Sequence, residues 1–434
     1  MVSWLIHSNF FLHLNSEKTY KSQMSIVSKF FKQKSTTSQM PKGCIVVAPD
    51  KFKGTLSANE VSTSVANAIK AHFSNISVKM CPMADGGEGS ATLIATIKHL
   101  QPHTIAGYNA LMQPIDIRYY ANSKVCAVDS ADIVGLTMLG NITLTPWLTT
   151  SYGIGRFILD MLEKGFREII IGIGGTASID CGIGMLQALG ARFFDVEGDE
   201  LTQTPLRACN LSSVYTIDFS NIARTTLQNN ITVLSDVDVP LIPGKNQNIT
   251  DTLSALSFAP QKGVKAEELP LLRNAMENFA TAVDNALYTP AHTPRFQGAG
   301  GGLGYALHRV LKCNCHSGAK FFTDHYNVFP PNQPPLCIIT GEGCFDEQSL
   351  GGKVVGTIYN HANSLGIQTL VLCGKNAIRK KYQRLTVFSL TDDSLPTSSN
   401  LLSHNIAVEN LNKALPSLLT FLEDLFTNRN VENG

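Results

Sequence analysis

Apolar positions in this chain fall into short runs separated by amphipathic stretches, and the rhythm is regular from residue 44 onward. Residues 44–48 are an apolar run that reads as a short strand. Ser57-Ala58-Asn59-Glu60 is a capping box, which predicts a helix through about Phe73. Residues 78–83 read as the next strand and 88–100 as the next helix. A β-α-β-α order predicts a parallel sheet with helices on its faces. The rhythm then changes. Residues 104–108 and 115–120 alternate as strands do, so a boundary is expected near Gln101. Beyond it the pattern predicts a helix over 151–164 stopped by Gly165, a buried strand over 168–173 and a helix over 184–190. A strand over 231–234 and a long amphipathic helix over 266–286 follow. A glycine-rich stretch at 298–304 opens a helix through Leu311. The βα rhythm returns with strand 337–340, helix 354–365 and strand 369–373.

The first and last thirds thus look alike, and the middle third looks inserted. The expected fold class is α/β. One α/β domain is split between residues 43–100 and 297–434 and carries a second α/β domain at 101–296. Residues 1–42 read as a loose extension. Lys18, Lys21, Lys29, Lys32 and Lys34 face only Glu17 there. The extension lacks the basic start and small-residue cleavage site of a secretory signal, and the arginine of a transit peptide.

Hydrophobic residues make up 44% of the 434, enough for large buried cores. The net charge of +1 argues against a nucleic-acid or membrane-surface protein. No apolar run approaches the ~20 residues that span a bilayer. The ten cysteines are scattered through apolar segments, which reads as reduced thiols in a cytoplasmic protein. Cys313-Asn314-Cys315-His316 is the one dense group. It has no second cluster to complete a metal site, so it reads as a helix-end loop.

Candidate chemistry sits where strands end. Residues 78–83 run into Ala84-Asp85-Gly86-Gly87-Glu88-Gly89, and 169–173 into Gly174-Gly175-Thr176-Ala177-Ser178-Ile179-Asp180. Residues 231–234 run into Ser235-Asp236, and 337–340 into Gly341-Glu342-Gly343. Ligands of open α/β sheets bind outside the carboxyl ends of the strands. Glycines there let backbone amides approach phosphate, and carboxylates can hold Mg2+. Asp50-Lys51-Phe52-Lys53 adds two cations beside an acid at the first strand's end. Asp85 and Glu88 also have the spacing of a helix cap and its partner, but the two glycines between them are poor helix formers. Gly172-x-Gly174-x-x-Ala177, with Asp195 beyond it, matches a loose dinucleotide fingerprint and supports a rival NAD(P)-dependent oxidoreductase. Against that rival, Gly182 and Gly184 interrupt the helix that should follow at once. The Gly-x-x-x-x-Gly-Lys-Ser/Thr loop and the protein-kinase signatures are absent.

Taken together, these stretches resemble the glycerate kinase type 1 family, the bacterial glycerate 2-kinases. The matching runs begin at Val47-Ala-Pro-Asp-Lys-Phe-Lys-Gly-Thr-Leu-Ser-Ala58 and Pro82-Met-Ala-Asp-Gly-Gly-Glu-Gly89. Thr150-Ser-Tyr-Gly153, Ile171-Gly-Ile-Gly-Gly-Thr-Ala-Ser178 and Gly184-Met-Leu-Gln-Ala-Leu-Gly190 follow. Pro260-Gln-Lys-Gly263, Gly300-Gly-Gly-Leu-Gly304 and Thr340-Gly-Glu-Gly343 complete the series, in the family's order. Three positions depart. Cys344 stands where the family usually has arginine, Ile179 where it has asparagine, and Val239 replaces a further polar residue.

The resemblance implies ATP-dependent phosphorylation of D-glycerate, at the 2-hydroxyl, with Mg2+. It implies a Rossmann-like domain built from both chain ends and an inserted flavodoxin-like domain. On that basis Lys51 and Lys53 are expected to hold the glycerate carboxylate or the transferring phosphoryl group. Asp85, Glu88 and Asp236 are candidates for Mg2+ or for orienting the hydroxyl, and Asp180 is the expected base. Gly174, Gly175, Gly300, Gly301 and Gly302 would offer amides to the ATP phosphates. Glu342, Asp346 and Lys353 would complete the cleft. A catalytically impaired homologue that only binds ligand is the other alternative, because of Cys344 and Ile179. The expected partners are small molecules, with neither nucleic acid nor membrane; a homodimer is compatible with the sequence.

Overall fold

The computed structural model describes residues 42–139, 145–222, 227–228, 230–244, 253–288, 295–391 and 403–432. The expected extension lies outside them except for Lys42. Residues 43–421 form one compact unit; a second unit contains residues 1–42 and 422–434. Among the described residues there are thirteen strands. They are β1 (Gly43–Val47), β2 (Ile76–Met80), β3 (Gln101–Tyr108), β4 (Pro114–Ala121), β5 (Val125–Asp129), β6 (Glu168–Gly172), β7 (Arg192–Phe194), β8 (Thr216–Asp218), β9 (Ile231–Ser235), β10 (Asn314–Ser317), β11 (Cys337–Phe345), β12 (Gln368–Asn376) and β13 (Leu385–Ser389). The principal helices are α1 (Ala58–His72), α2 (Ser90–Lys98), α3 (Tyr152–Glu163), α4 (Ile183–Ala188), α5 (Leu269–Leu287), α6 (Gly318–His325), α7 (Val354–Ser364) and α8 (His404–Glu432).

One sheet is wholly parallel, in the order β13-β12-β11-β1-β2. Its inner strands are covered on both faces, which is why they are continuous apolar runs: Ile45, Val47, Ile338, Ile339, Leu370 and Val371 are all buried. Counted along the chain the order is 2-1-3-4-5, a doubly wound arrangement with its switch point between β1 and β11. That order, the one flavodoxin-like sheets carry, therefore falls on the split sheet rather than the inserted one. α1 forms as the capping box predicts. Glu60 N–H donates to Ser57 Oγ at 3.2 Å and Ser57 N–H to Glu60 Oε2 at 2.8 Å. Val61, Val65, Ala66 and Ile69 make its buried stripe.

The second sheet is mixed, in the order β10-β9-β6-β5-β4-β3. β5, β6, β9 and β10 are parallel, and β4 runs antiparallel to both of its neighbours. The alternation read over residues 104–120 is this hairpin, with Ile117 and Tyr119 turned to the core. Two expectations are corrected. Cys313 to His316 is not a helix-end loop, because Asn314–Ser317 is edge strand β10 paired with β9, past the expected boundary at 297. Nor does the 298–311 stretch form a regular helix. Gly300, Gly301 and Gly302 all have φ between +61° and +89° and make a tight turn, and the helix that follows to Val310 is α only over Leu303–Tyr305 before it widens to a π-helix over Ala306–Val310.

Candidate active site

The carboxyl ends of the two sheets meet. Beyond β2, Cys81 and Met83 N–H donate to Val47 O and Pro49 O at 2.8 and 2.9 Å, prolonging the ladder beside β1. This delivers residues 85–89 to the second sheet, where Gly174 N–H donates to Gly86 O at 3.3 Å. A Cβ on Gly86, whose φ is +104°, would stand 2.6 Å from the Ser235 carbonyl carbon. A Cβ on Gly174 would stand 2.6 Å from Gly87 Cα. These glycines are required where backbone meets backbone, in space the sequence reading gave to a phosphate.

Asp85 does not cap α2. The N-cap is Gly89, and the carboxylate of Asp129 at the end of β5 takes the free amides. Gly89 N–H donates to Asp129 Oδ2 at 2.6 Å and Ala91 N–H to Oδ1 at 2.9 Å. Asp129 is only 2% exposed. Burial, and then Asp132, push its carboxyl up to about 8 against those two hydrogen bonds. Sequence reasoning missed Asp129, although an acid closing the apolar run of β5 is the same signal it used elsewhere.

Asp85 instead belongs to a group of acids. Its Oδ1 accepts from Gly87 N–H at 2.9 Å. Asp50, at the switch point, is held by its own N–H to Gly341 O at 2.8 Å and accepts from Lys51 N–H at 2.7 Å. Burial raises its carboxyl well above the ordinary range, and Asp85 and Glu342 add to this. Asp236 is pushed up to about 6 by burial and by Asp85, with Lys353 opposing. Glu342 is pushed up to about 7 by burial; Ser349 and Lys353 oppose, while Asp346 and Asp85 reinforce. Four carboxylates from both sheets thus share one field, with Asp85 acting on the other three and Lys353, at the N-terminus of α7, opposing at Asp236 and Glu342.

Other predicted residues lie differently. The Lys51 ammonium donates to the Glu88 backbone carbonyl and lies 3.4 Å from Glu88 Oε2. Glu88 is half-exposed and acts on Asp132, not on Asp236. Lys53 is exposed on the same loop. Asp346 accepts Gln348 N–H and Ser349 N–H at 2.9 and 3.1 Å, capping the turn before α7. Asp180 is 1% exposed and its carboxylate is saturated: Ser151 N–H and Oγ–H donate at 2.8 Å, Gly182 N–H at 3.2 Å and Gly184 N–H at 3.3 Å. It organises the turn into α4 and the start of α3. Gly175 turns with φ +76°. Gly301 and Gly302 are buried where a Cβ would stand 2.1 Å from Ser178 O and 2.7 Å from Cys181 Cα. Gly300 meets Ile173 O in the same way, at 2.8 Å. Packing accounts for all three. Lys262, in the quoted run Pro260 to Gly263 but given no role there, is buried beneath the 174–178 loop.

The model of the Glycerate kinase family matches residues 45–420. The chain is 33% identical over 314 residues to the glycerate 2-kinase of Escherichia coli strain K12, covering 71% of this chain and 79% of that protein. It is 30% identical to a glycerate kinase of Bacillus subtilis strain 168, covering 76% and 84%. A crystal structure from Salmonella typhimurium LT2, named provisionally as glycerate kinase 2, superposes with a TM-score of 0.69 at 27% identity. That superposition covers 88% of this chain and 99% of the other.

Proposed function

The chain belongs to the glycerate kinase family, and on that premise we propose that it transfers the γ-phosphoryl group of ATP to the 2-hydroxyl of D-glycerate. The family makes it a phosphotransferase. The observation that carries the finer reading is the acid group with its lysines where the two sheets' carboxyl edges meet. Phosphoryl transfer asks the protein for positioning and charge stabilisation more than for covalent chemistry. Lys51 and Lys53, at the switch point, are assigned to the substrate carboxylate. Asp85, between Asp50 and Asp236, is assigned to the reacting hydroxyl, in place of the saturated Asp180. The two sheets, β1, β2 and β11 to β13 on one side and β3 to β6, β9 and β10 on the other, are read as lobes that close over ATP and keep water out.

The residues fit Mg2+. The ion takes oxygen ligands and is held by one or two carboxylates plus substrate phosphates rather than by an all-protein cage. No ready cage of three such side chains occurs among the described residues. Glu342 Oε1 is buried without a hydrogen-bond partner among them, and Asp236 lies in the same field. Asp236 and Glu342 would hold the ion, and Glu88 would not. Bound there, Mg2+ would neutralise charge on the nucleotide phosphates. The dinucleotide reading loses support, because the Gly174 amide is engaged by Gly86 O and α4 begins only at Ile183.

Purified protein is expected to release ADP with D-glycerate and Mg2+ and to give 2-phosphoglycerate, identified by phosphorus NMR. ADP no higher than in a blank without glycerate would overturn the reading. A smaller effect is expected at Cys344, which is exposed, with Asp346, Glu342, Lys375 and Lys353 acting on it. An arginine there meets carboxylates and solvent rather than an apolar core. Cys344→Arg should lower KM for ATP or glycerate, or raise kcat, by roughly tenfold, the value of one charged hydrogen bond. Unchanged kinetics would leave the departure without functional weight.

A further inference from the structure

Lys262 is 4% exposed, at the end of the turn Pro260–Lys262. Its ammonium donates to Thr176 Oγ1 at 3.0 Å and to Ser178 O at 2.7 Å, both in the loop that follows β6. Gly301 closes over it: a Cβ there would stand 2.7 Å from Nζ. Two acids act on the ammonium, Asp236 and Asp180, and the second is already saturated by four donors. Burying an ammonium is costly, and here burial draws its pKa down to about 8. A neutral amide could hold Thr176 and Ser178 equally well. What lysine adds is charge.

That charge lies where charge is needed. The carboxyl edges present Asp50, Asp85, Asp236 and Glu342, which repel any anion. Lys51 is engaged with Glu88 at the other end of the group. We infer that Lys262 is a positioning residue for a polyphosphate: its buried charge, held against Thr176 and Ser178, lets the tip of their loop around Gly175 and Thr176 accept the phosphates of a nucleotide beside Asp236. This rests on the ATP reading and places the nucleotide on the second sheet, leaving the switch-point lysines to the organic acid.

The test is a charge series. Dissociation constants of adenosine, AMP, ADP and ATP are measured by calorimetry on the full chain and on Lys262→Gln, which keeps hydrogen-bond donors and loses the charge. Adenosine should change by less than about twofold, while ATP should weaken roughly 30-fold or more, with AMP and ADP between, as expected for one charge acting on several through a medium of intermediate dielectric. Lys262→Met should show the same gradient, and it replaces the glutamine variant should that one not fold. Equal weakening of adenosine and ATP would make Lys262 merely structural and overturn the inference. So would an unchanged ATP constant. A wild-type chain that binds no ATP would remove the kinase reading as well, whereas tight ATP binding unaffected by either variant removes this inference alone.

Discussion

Asp85→Asn is expected to lower kcat by about 100-fold or more, the scale of one positioned acid–base group, while leaving the protein as stable as before or more so. The two halves of this result share one cause. Asp85 raises the carboxyls of Asp50, Asp236 and Glu342, so its negative charge opposes theirs in the folded chain. Asparagine keeps the side-chain oxygen that Gly87 N–H needs and removes the repulsion. Strain of this kind is tolerated where function requires it. Steady-state ADP release with D-glycerate, beside a thermal melt of the same preparation, reads both halves. Near-normal kcat would reduce Asp85 to a turn residue. A large fall in melting temperature would show that the acid group is structural rather than strained.

What the sequence disclosed divides by the range of the interactions involved. The capping box of α1 is local, since Ser57 and Glu60 satisfy each other within one turn, and it formed as read. The alternation over β3 and β4 reports one solvated face and was equally legible. β10 was not, because Asn314 to Ser317 has no strand-like composition and becomes a strand only through its pairing with β9. The site shows the same division. Acids at strand ends were visible, and the acid group holds four of those named, Asp50, Asp85, Asp236 and Glu342. Asp129 and Lys262 were overlooked because their partners are remote in sequence: Asp129 serves amides of α2, and Lys262 a loop near residue 176. Asp180 misled because an acid after a glycine-rich corner reads the same whether its carboxylate faces the cleft or folds back on Ser151 and Gly182. Gly86 and Gly87 were flagged as positions of close approach, but the approaching group is the chain's own second sheet.

Ligand-free protein should lose stability as pH rises from about 6 to about 8, a window in which many proteins change little. A carboxyl whose pKa is higher folded than unfolded binds its proton more tightly in the native state. Between the two values the native state carries more protons, so stability falls as pH rises; above the folded value both states are ionised and the contribution is constant. Asp129 at about 8, Glu342 at about 7 and Asp236 at about 6 all have this sign. His308, lowered by burial, opposes them only below its unfolded value, where the native state is the one short of a proton. Asp129 is the most enclosed of the three and titrates last. At about 1.4 kcal/mol per unit, with the slope halving as pH reaches the folded value, it alone should remove roughly 2 kcal/mol between about pH 6 and about pH 8. Melting temperatures across that range check the slope. Asp129→Asn tests its origin, because asparagine can accept one of the two α2 amides but cannot ionise. The variant should be less stable than wild type at about pH 6, where a cap is lost and no repulsion is relieved, and the difference should shrink toward about pH 8. Parallel profiles for the two proteins would assign the slope to Glu342, Asp236 and Asp50, and would leave Asp129 as an ionised helix cap across the whole range.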